Sequence, residues 1–225
     1  AFYASANYYL ADCLIKNAQK QEALQAYENI IIKPKNEFTE KAILKAANLN
    51  FENNNYETAL QEFCLLEQTA EISNHKLQAL LGEMECYYLL NKFDSTIIVS
   101  NKILSLEKTD ENISEKASYY LAKSLLKNAN SGQAIEEFKK LTSAKNTEYA
   151  SEAQYTLAEI QYNNGNLEES EKIILEITSN PSSEFWLAKA FILWADIFKQ
   201  RGNKIQAKQT LQSIIDNYEG DQSII

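Results

Sequence analysis

Residues Glu115–Lys140 read EKASYYLAKSLLKNANSGQAIEEFKK. Ala117, Tyr120, Leu121, Leu125 and Leu126 fall on one face of a helix with 3.6 residues per turn. The run breaks at Asn128-Ala-Asn-Ser-Gly132, where Asn, Ser and Gly favour turns and helix caps. A second helical pattern follows through Ala134, Ile135, Phe138 and Leu141. A break this short predicts two antiparallel helices. The next stretch repeats the scheme: Tyr155, Leu157, Ala158 and Tyr162, a break at Asn163-Asn-Gly-Asn166, then Leu167, Ile173, Ile174 and Ile177. Breaks of the same kind lie at Asn17–Gln19, Asn53–Asn55, Asn91-Lys92 and Arg201–Asn203.

Working outward, one spacing recurs six times. A small residue in the first helix is followed twelve positions later by another: Ala11/Ala23, Ala47/Ala59, Met84/Thr96, Ala122/Ala134, Ala158/Ser170 and Ala195/Ala207. Only Met84 is large. Successive pairs are 36, 37, 38, 36 and 37 residues apart, a period that marks stacked helical pairs. Helices that approach closely need short side chains where their backbones meet, so each pair is expected at a crossing. Bulky residues stand four after the second small one at Tyr27, Phe63, Phe138, Ile174 and Leu211, with Ser100 breaking the column. Three further on, Ile30, Leu66, Ile103, Leu141, Ile177 and Ile214 are expected to pack each hairpin on the next. Connectors are expected at Lys33–Asn36, Glu71–Asn74, Glu107–Asn112, Ser143–Asn146 and Ser179–Ser183, with caps at Thr39, Ser73, Ser114, Thr147 and Ser183.

Bulk properties narrow the function. Of 225 residues, 45% are apolar, too many for a disordered chain. Five Gly and two Pro are few for an all-β fold. The net charge is −9, and the basic residues, Arg201 the single Arg among them, are scattered, which argues against nucleic acid. No apolar run approaches the roughly 18 residues that span a bilayer, so direct membrane insertion is not expected. Cys13, Cys64 and Cys86 form no CxxC and are expected to be small buried hydrophobes. His75, the single His, is placed in a connector, so neither a Ser-His-Asp set nor a His-based metal cluster can be assembled. The Glu83/Glu85, Glu136/Glu137 and Glu168/Glu169 pairs are expected on solvated helix faces. The five Gly are isolated and build no phosphate loop. No catalytic residue, cofactor or metal is implied, and the chain is not expected to be an enzyme.

These columns resemble the tetratricopeptide repeat, a helix–turn–helix with small residues at the two crossings. The resemblance covers about six units, approximately residues 2–36, 38–72, 75–109, 113–145, 148–181 and 184–218, read as one array. Most units are longer than the usual 34 residues, and none carries a Trp at the family's own place near the start of the first helix, Phe191 being the closest substitute. The third, with Met84, Thr96 and Ser100, departs most. Trp194 to Tyr218 resembles the C-terminal part of large bacterial tetratricopeptide-repeat proteins, which favours the cell envelope or periplasm and leaves the cytoplasm open. The implied fold is all-α, a right-handed α-solenoid of antiparallel hairpins. The implied function is a protein–protein interaction scaffold.

In that family the first helices line a concave face that takes peptides or partner helices. Carried over, the resemblance implies Tyr8 and Asp12, Asn48 and Phe51, Glu85 and Tyr88, Tyr119 and Lys123, Tyr155, Glu159 and Tyr162, and Asp196 as the binding face. Tyr suits an interface through broad area with a polar tip. Acids outnumber bases along the column Asp12, Asn48, Glu85, Lys123, Glu159 and Asp196, so a cationic or aromatic protein or peptide is expected. Tyr8 and Asp12 disfavour the family's carboxylate-clamping variant, because an acid repels a carboxylate. The alternative is a structural segment of a cell-envelope assembly that stacks on further repeats of its own chain. Its support is the chain's opening inside a helix at Ala1-Phe2-Tyr3 and the apolar Ser223-Ile-Ile225, read as the start of a capping helix.

Overall fold

The computed structural model describes residues 2–107 and 109–220; Ala1 and the Ser223–Ile225 segment lie outside the described residues. Twelve α-helices and no strand occur among them. The chain divides into two compact units, Ala1–Thr109 and Asp110–Ile225. The first holds three hairpins: α1 (Phe2–Lys16) with α2 (Lys20–Ile31), α3 (Thr39–Glu52) with α4 (Tyr56–Thr69), and α5 (Ser73–Leu89) with α6 (Phe93–Leu104). The second pairs α7 (Glu111–Lys127) with α8 (Ser131–Leu141), α9 (Thr147–Asn163) with α10 (Leu167–Ser179), and α11 (Glu184–Gln200) with α12 (Lys204–Asn217). Within the units α2 packs on α3, α4 on α5, α8 on α9 and α10 on α11. The fold is all-α and built from helical-hairpin repeats, as the sequence leads one to expect.

Every hairpin turns in the same way. Ala18, Asn54, Asn91, Ala129, Gly165 and Gly202 have φ between 57° and 79°. Each lies seven residues after the first small residue of its repeat. The next residue sends its N–H back five positions, as Gln19 to Leu14, Asn55 to Asn50, Lys92 to Tyr87, Asn130 to Leu125, Asn166 to Gln161 and Asn203 to Phe198, at 2.8–2.9 Å. With the accompanying bond three positions back, this is the Schellman closure, which satisfies carbonyls orphaned at a helix end. Gly, and to a lesser degree Asn, enter the left-handed region cheaply. Ala18 and Ala129 do so without that help.

The crossings are sealed. Both members of the first five small pairs are fully buried, Met84 and Thr96 included. Ser170 spends its hydroxyl on the crossing itself, donating to the Ala158 carbonyl at 2.8 Å. In the third hairpin the bulk is redistributed: Met84 brings extra volume, and Ser100 replaces the large residue found elsewhere, both with no exposure. A further all-Ala column stands five residues before each first small residue: Ala6, Ala42, Ala79, Ala117, Ala153 and Ala190. In α3, α5, α9 and α11 it is buried where the preceding second helix comes close. On α1 that face is open, so Ala6 and Cys13 are exposed. This corrects the expectation for the cysteines, since Cys86 alone is buried.

Capping differs from expectation as well. Asp110 accepts from the Ile113 N–H, and Asn146 from those of Glu148 and Tyr149, so these residues cap α7 and α9 instead of Ser114 and Thr147. Ser73 lies inside α5, Thr39 inside α3, and Ser183 makes no side-chain cap bond. Help comes instead from the previous first helix. Glu40 of α3 accepts from the backbone N–H groups of Glu71 and Ile72 just before α5, at 2.9 and 3.4 Å. Glu115 of α7 accepts likewise from Lys145 and Asn146 before α9, at 2.6 and 3.1 Å. Ser151, at the same place in α9, lies 3.2 Å from the Ser182 hydroxyl. A carboxylate here satisfies free donors and faces the positive end of the next helix. His75, expected in a connector, sits in the first turn of α5 with Nδ1 2.9 Å from Glu40.

Gly82 has a packing reason of its own. A Cβ there would stand 2.4 Å from the ring of Phe63, which is buried and cannot retreat. Gly82→Ala is expected to lower the stability of the Ala1–Thr109 unit by about 1–3 kcal/mol, overpacking outweighing the helix propensity of Ala. Ala129→Gly is expected to raise that of Asp110–Ile225 by about 0.5–1 kcal/mol through relief of the left-handed φ, less the added chain entropy. Urea denaturation of each variant reads both signs.

Candidate functional site

In Asp110–Ile225 the first helices α7, α9 and α11 lie side by side and share polar and aromatic contacts on one face. The Tyr119 ring stacks on Tyr149 at 4.3 Å, and its hydroxyl donates to Glu152 at 2.6 Å. Lys123 donates to the Tyr119 hydroxyl at 2.8 Å and pairs with Glu152 at 2.8 Å. Tyr155 of α9 is only 8% exposed, lies against Trp186 of α11 at 5.3 Å and donates to Glu159 at 2.8 Å. Burial, then the Glu159 hydrogen bond, then the charges of Glu159 and Asp196 raise its phenol pKa. The Tyr162 hydroxyl accepts from Gln200 of α11 at 2.8 Å. Glu159 and Asp196 occupy the same place in successive repeats, are half-buried, and have no cationic partner among the described residues.

In Ala1–Thr109 the corresponding residues are more committed to packing. Tyr8 is wedged among Tyr9, Tyr27 and Phe38, with centroids at 5.8, 5.9 and 5.3 Å. Burial, then the charges of Asp12 and Tyr9, push its phenol pKa up. Asp12 accepts from the Tyr27 hydroxyl at 3.0 Å. Phe51 and Tyr88 meet Tyr56 and Phe93 edge-on across their own hairpin turns, at 5.4 and 5.7 Å. Asn48 is exposed, and Glu85 is half-buried. Tyr149, Glu152, Trp186, Lys189 and Gln200 join these contacts, although the family resemblance does not point to them. Glu152 stands three residues before Tyr155 and Lys189 seven before Asp196 on the same helix faces, spacings legible in the sequence.

Tetratricopeptide-repeat family models match residues 119–184 and residues 5–35. Over those residues the chain carries tetratricopeptide repeats. No curated protein matches it. Among solved structures, YrrB, described as a tetratricopeptide-repeat protein with an unusual peptide-binding site, is 19% identical with a TM-score of 0.58, over 89% of this chain and 96% of that one. PilF of Pseudomonas aeruginosa is 12% identical with a TM-score of 0.64, over 99% and 95%. MamA of Desulfovibrio magneticus RS-1, from residue 41 to the end, is 13% identical with a TM-score of 0.64, over 81% and 99%. At these identities the likeness is one of fold. Among the described residues no helix of the repeat array is long and apolar enough to cross a membrane.

The repeats of Ala1–Thr109 also bury acids. Glu83 was expected on a solvated face; it is 7% exposed, with one carboxyl oxygen unpartnered. Burial pushes its carboxyl up to about 7, Glu67 adding to the rise and Lys102 opposing it. Burial likewise carries Glu62 to about 7, against the Asn50 hydrogen bond and with the Glu28 charge. Glu40 goes the other way. Burial alone would raise it, but the Glu71 N–H, His75, Lys35 and the Ile72 N–H together hold it at about 2.

The signs follow from linkage. A carboxyl raised in the fold stabilises it below its ordinary value of 4.5, and that contribution is lost as pH climbs through about 7. A depressed carboxyl stabilises above 4.5, and its contribution is lost as pH falls through about 2. Stability of this unit is therefore expected to decline from pH 5 to pH 8. Glu83→Gln should flatten that decline, and Glu40→Gln should flatten the loss below pH 4.5. Denaturant midpoints across pH read both.

Proposed function

We propose that the chain is a non-catalytic scaffold for protein–protein interaction, and that the first-helix face of Asp110–Ile225 receives a peptide bearing cationic and aromatic side chains. The observation carrying this reading is the pair Glu159 and Asp196. They are half-buried carboxylates in register on adjacent first helices, without a cationic partner among the described residues, flanked by Tyr155, Tyr162 and Trp186. Unpaired acids beside aromatic surface favour a ligand that supplies positive charge and rings. Tyr119 and Lys123 belong to the same face, though both spend their polar atoms on Glu152. In Ala1–Thr109, Tyr8, Asp12, Asn48, Phe51, Glu85 and Tyr88 mark the equivalent stripe.

A second reading is favoured by the ends of the repeats. Leu10 on α1 is 52% exposed, whereas the corresponding Leu157 of α9 is buried; Leu211 on α12 is 41% exposed in a column buried in every other hairpin. These are half-seams of the kind that join hairpins, and further repeats of the same chain would cover them within a cell-envelope assembly.

Selection of displayed peptides against the whole chain tests the first reading. Wild-type protein should enrich sequences that combine Lys or Arg with aromatic residues, and binding should weaken with salt. The Glu159→Gln/Asp196→Asn variant, unchanged in helicity, should bind the same peptides about tenfold more weakly, as expected for two partly buried charge contacts. Equal enrichment by both proteins would remove the groove and leave the half-seams as the working surface.

A further inference from the structure

Lys189 lies in α11 one turn beyond Phe185 and Trp186, and its ammonium faces three rings at once. The Trp186 centroid is 5.0 Å away, Tyr155 5.1 Å and Phe185 5.5 Å. The walls brace one another, Tyr155 against Trp186 at 5.3 Å and Phe185 edge-on to Trp186 at 5.0 Å. The result is a three-sided aromatic cage shared by α9 and α11. Ring faces attract a cation within about 6 Å of their centroids.

Two of the walls carry an additional bias. The Tyr155 hydroxyl donates to Glu159 at 2.8 Å, and the Trp186 indole N–H donates to Glu148 at 2.5 Å. Donation to a carboxylate pushes electron density into the ring and sets negative charge at the rim. Asp196 adds its field at Tyr155. Lys189 itself has no carboxylate partner among the described residues and is held by the rings. Three acids, Glu148, Glu159 and Asp196, thus lie around the rim of the cage.

The geometry points to a cation-binding subsite. The Tyr155–Phe185–Trp186 cage takes the ammonium group of a lysine-type side chain on a bound protein, and Lys189 is the chain's own stand-in, which keeps the cage filled until the incoming ammonium displaces it. This rests on the reading of the first-helix face as a binding surface, and it names the ligand group and the device that guards it. Exchange of one ammonium for another leaves the charge of the cage unchanged, while Lys189 swings into solvent. A neutral apolar group gains no cation–ring attraction and no attraction to the acids at the rim, so it is disfavoured. With Lys189 in place Trp186 and Tyr155 are 9% and 8% exposed.

The test uses the whole chain with Trp194→Phe, which leaves Trp186 as the single indole. Its fluorescence is titrated with tetramethylammonium chloride, with n-butylammonium chloride and with sodium chloride at matched ionic strength. In the Lys189→Ala variant the organic cations should quench saturably, with a Kd at least tenfold lower than when Lys189 is present, and sodium chloride should do nothing. A response to butylammonium assigns an unmodified lysine; a response confined to tetramethylammonium assigns a methylated one. Should Lys189→Ala lose its helical melt, Lys189→Gln keeps the stem and serves for the same comparison. No gain in affinity on removing the Lys189 charge, or equal quenching by sodium, would overturn the subsite. Failure here with the peptide selection intact removes the cage alone. A flat selection with a positive titration removes the groove and leaves an isolated cation site.

Discussion

Where the two helices of a hairpin cross, the space between them admits little more than a methyl group in most repeats, the third with its buried Met84 excepted. Ala11 and Ala23, Ala47 and Ala59, Ala122 and Ala134 meet there with no exposed surface, and close backbone approach of this kind accepts only short side chains. The twelve-residue interval between the two members is the length of chain that leaves the crossing, closes through a Schellman turn and returns. The left-handed residue stands seven positions along that path in all six hairpins. Tight crossings oblige the bulky residues to project outwards, so Tyr27, Phe63, Phe138 and Ile174 fill the layer between hairpins. A hairpin alone cannot cover them, and stacking within each unit does.

The same architecture explains where polar chemistry collects. First helices stand side by side, so one side chain can serve the neighbouring helix: Glu40 and Glu115 satisfy backbone donors ahead of the next first helix. On the remaining face of Asp110–Ile225, Tyr119, Lys123 and Glu152 neutralise one another, while Glu159 and Asp196 have no cationic partner among the described residues. Binding character thus concentrates where the internal charge accounting is incomplete, on α9 and α11. Lys189 of α11 sits over rings and not against an acid.

Much of the fold was legible because it rests on periodicity. The small pairs, the knob column and the breaks at Asn and Gly all follow from local pattern, and the helices lie where those patterns put them. Other features depend on partners distant in sequence. Ala18 and Ala129 adopt left-handed backbone with no residue-type signal, because turn closure outweighs intrinsic preference. The cap positions slipped because Glu40 and Glu115 satisfy donors some thirty residues away. Glu83 reads as a surface acid, yet the packing of α4 and α6 around α5 buries it. Cys13 reads as buried, yet its face of α1 stands open. Of the face residues, Asn48 could be placed on an exposed helix side from spacing alone; that Tyr155 lies beneath Trp186 could not.

The sequence by itself determined the helical hairpins, their number, their period and which residues meet at each crossing. Those properties are set by side-chain size and 3.6-residue periodicity within a single repeat. Tertiary structure decided which acids are paired, which are buried and which rings enclose a cation. Such outcomes depend on contacts between helices about thirty-six residues apart, where the identity of a residue matters less than what the next repeat brings against it.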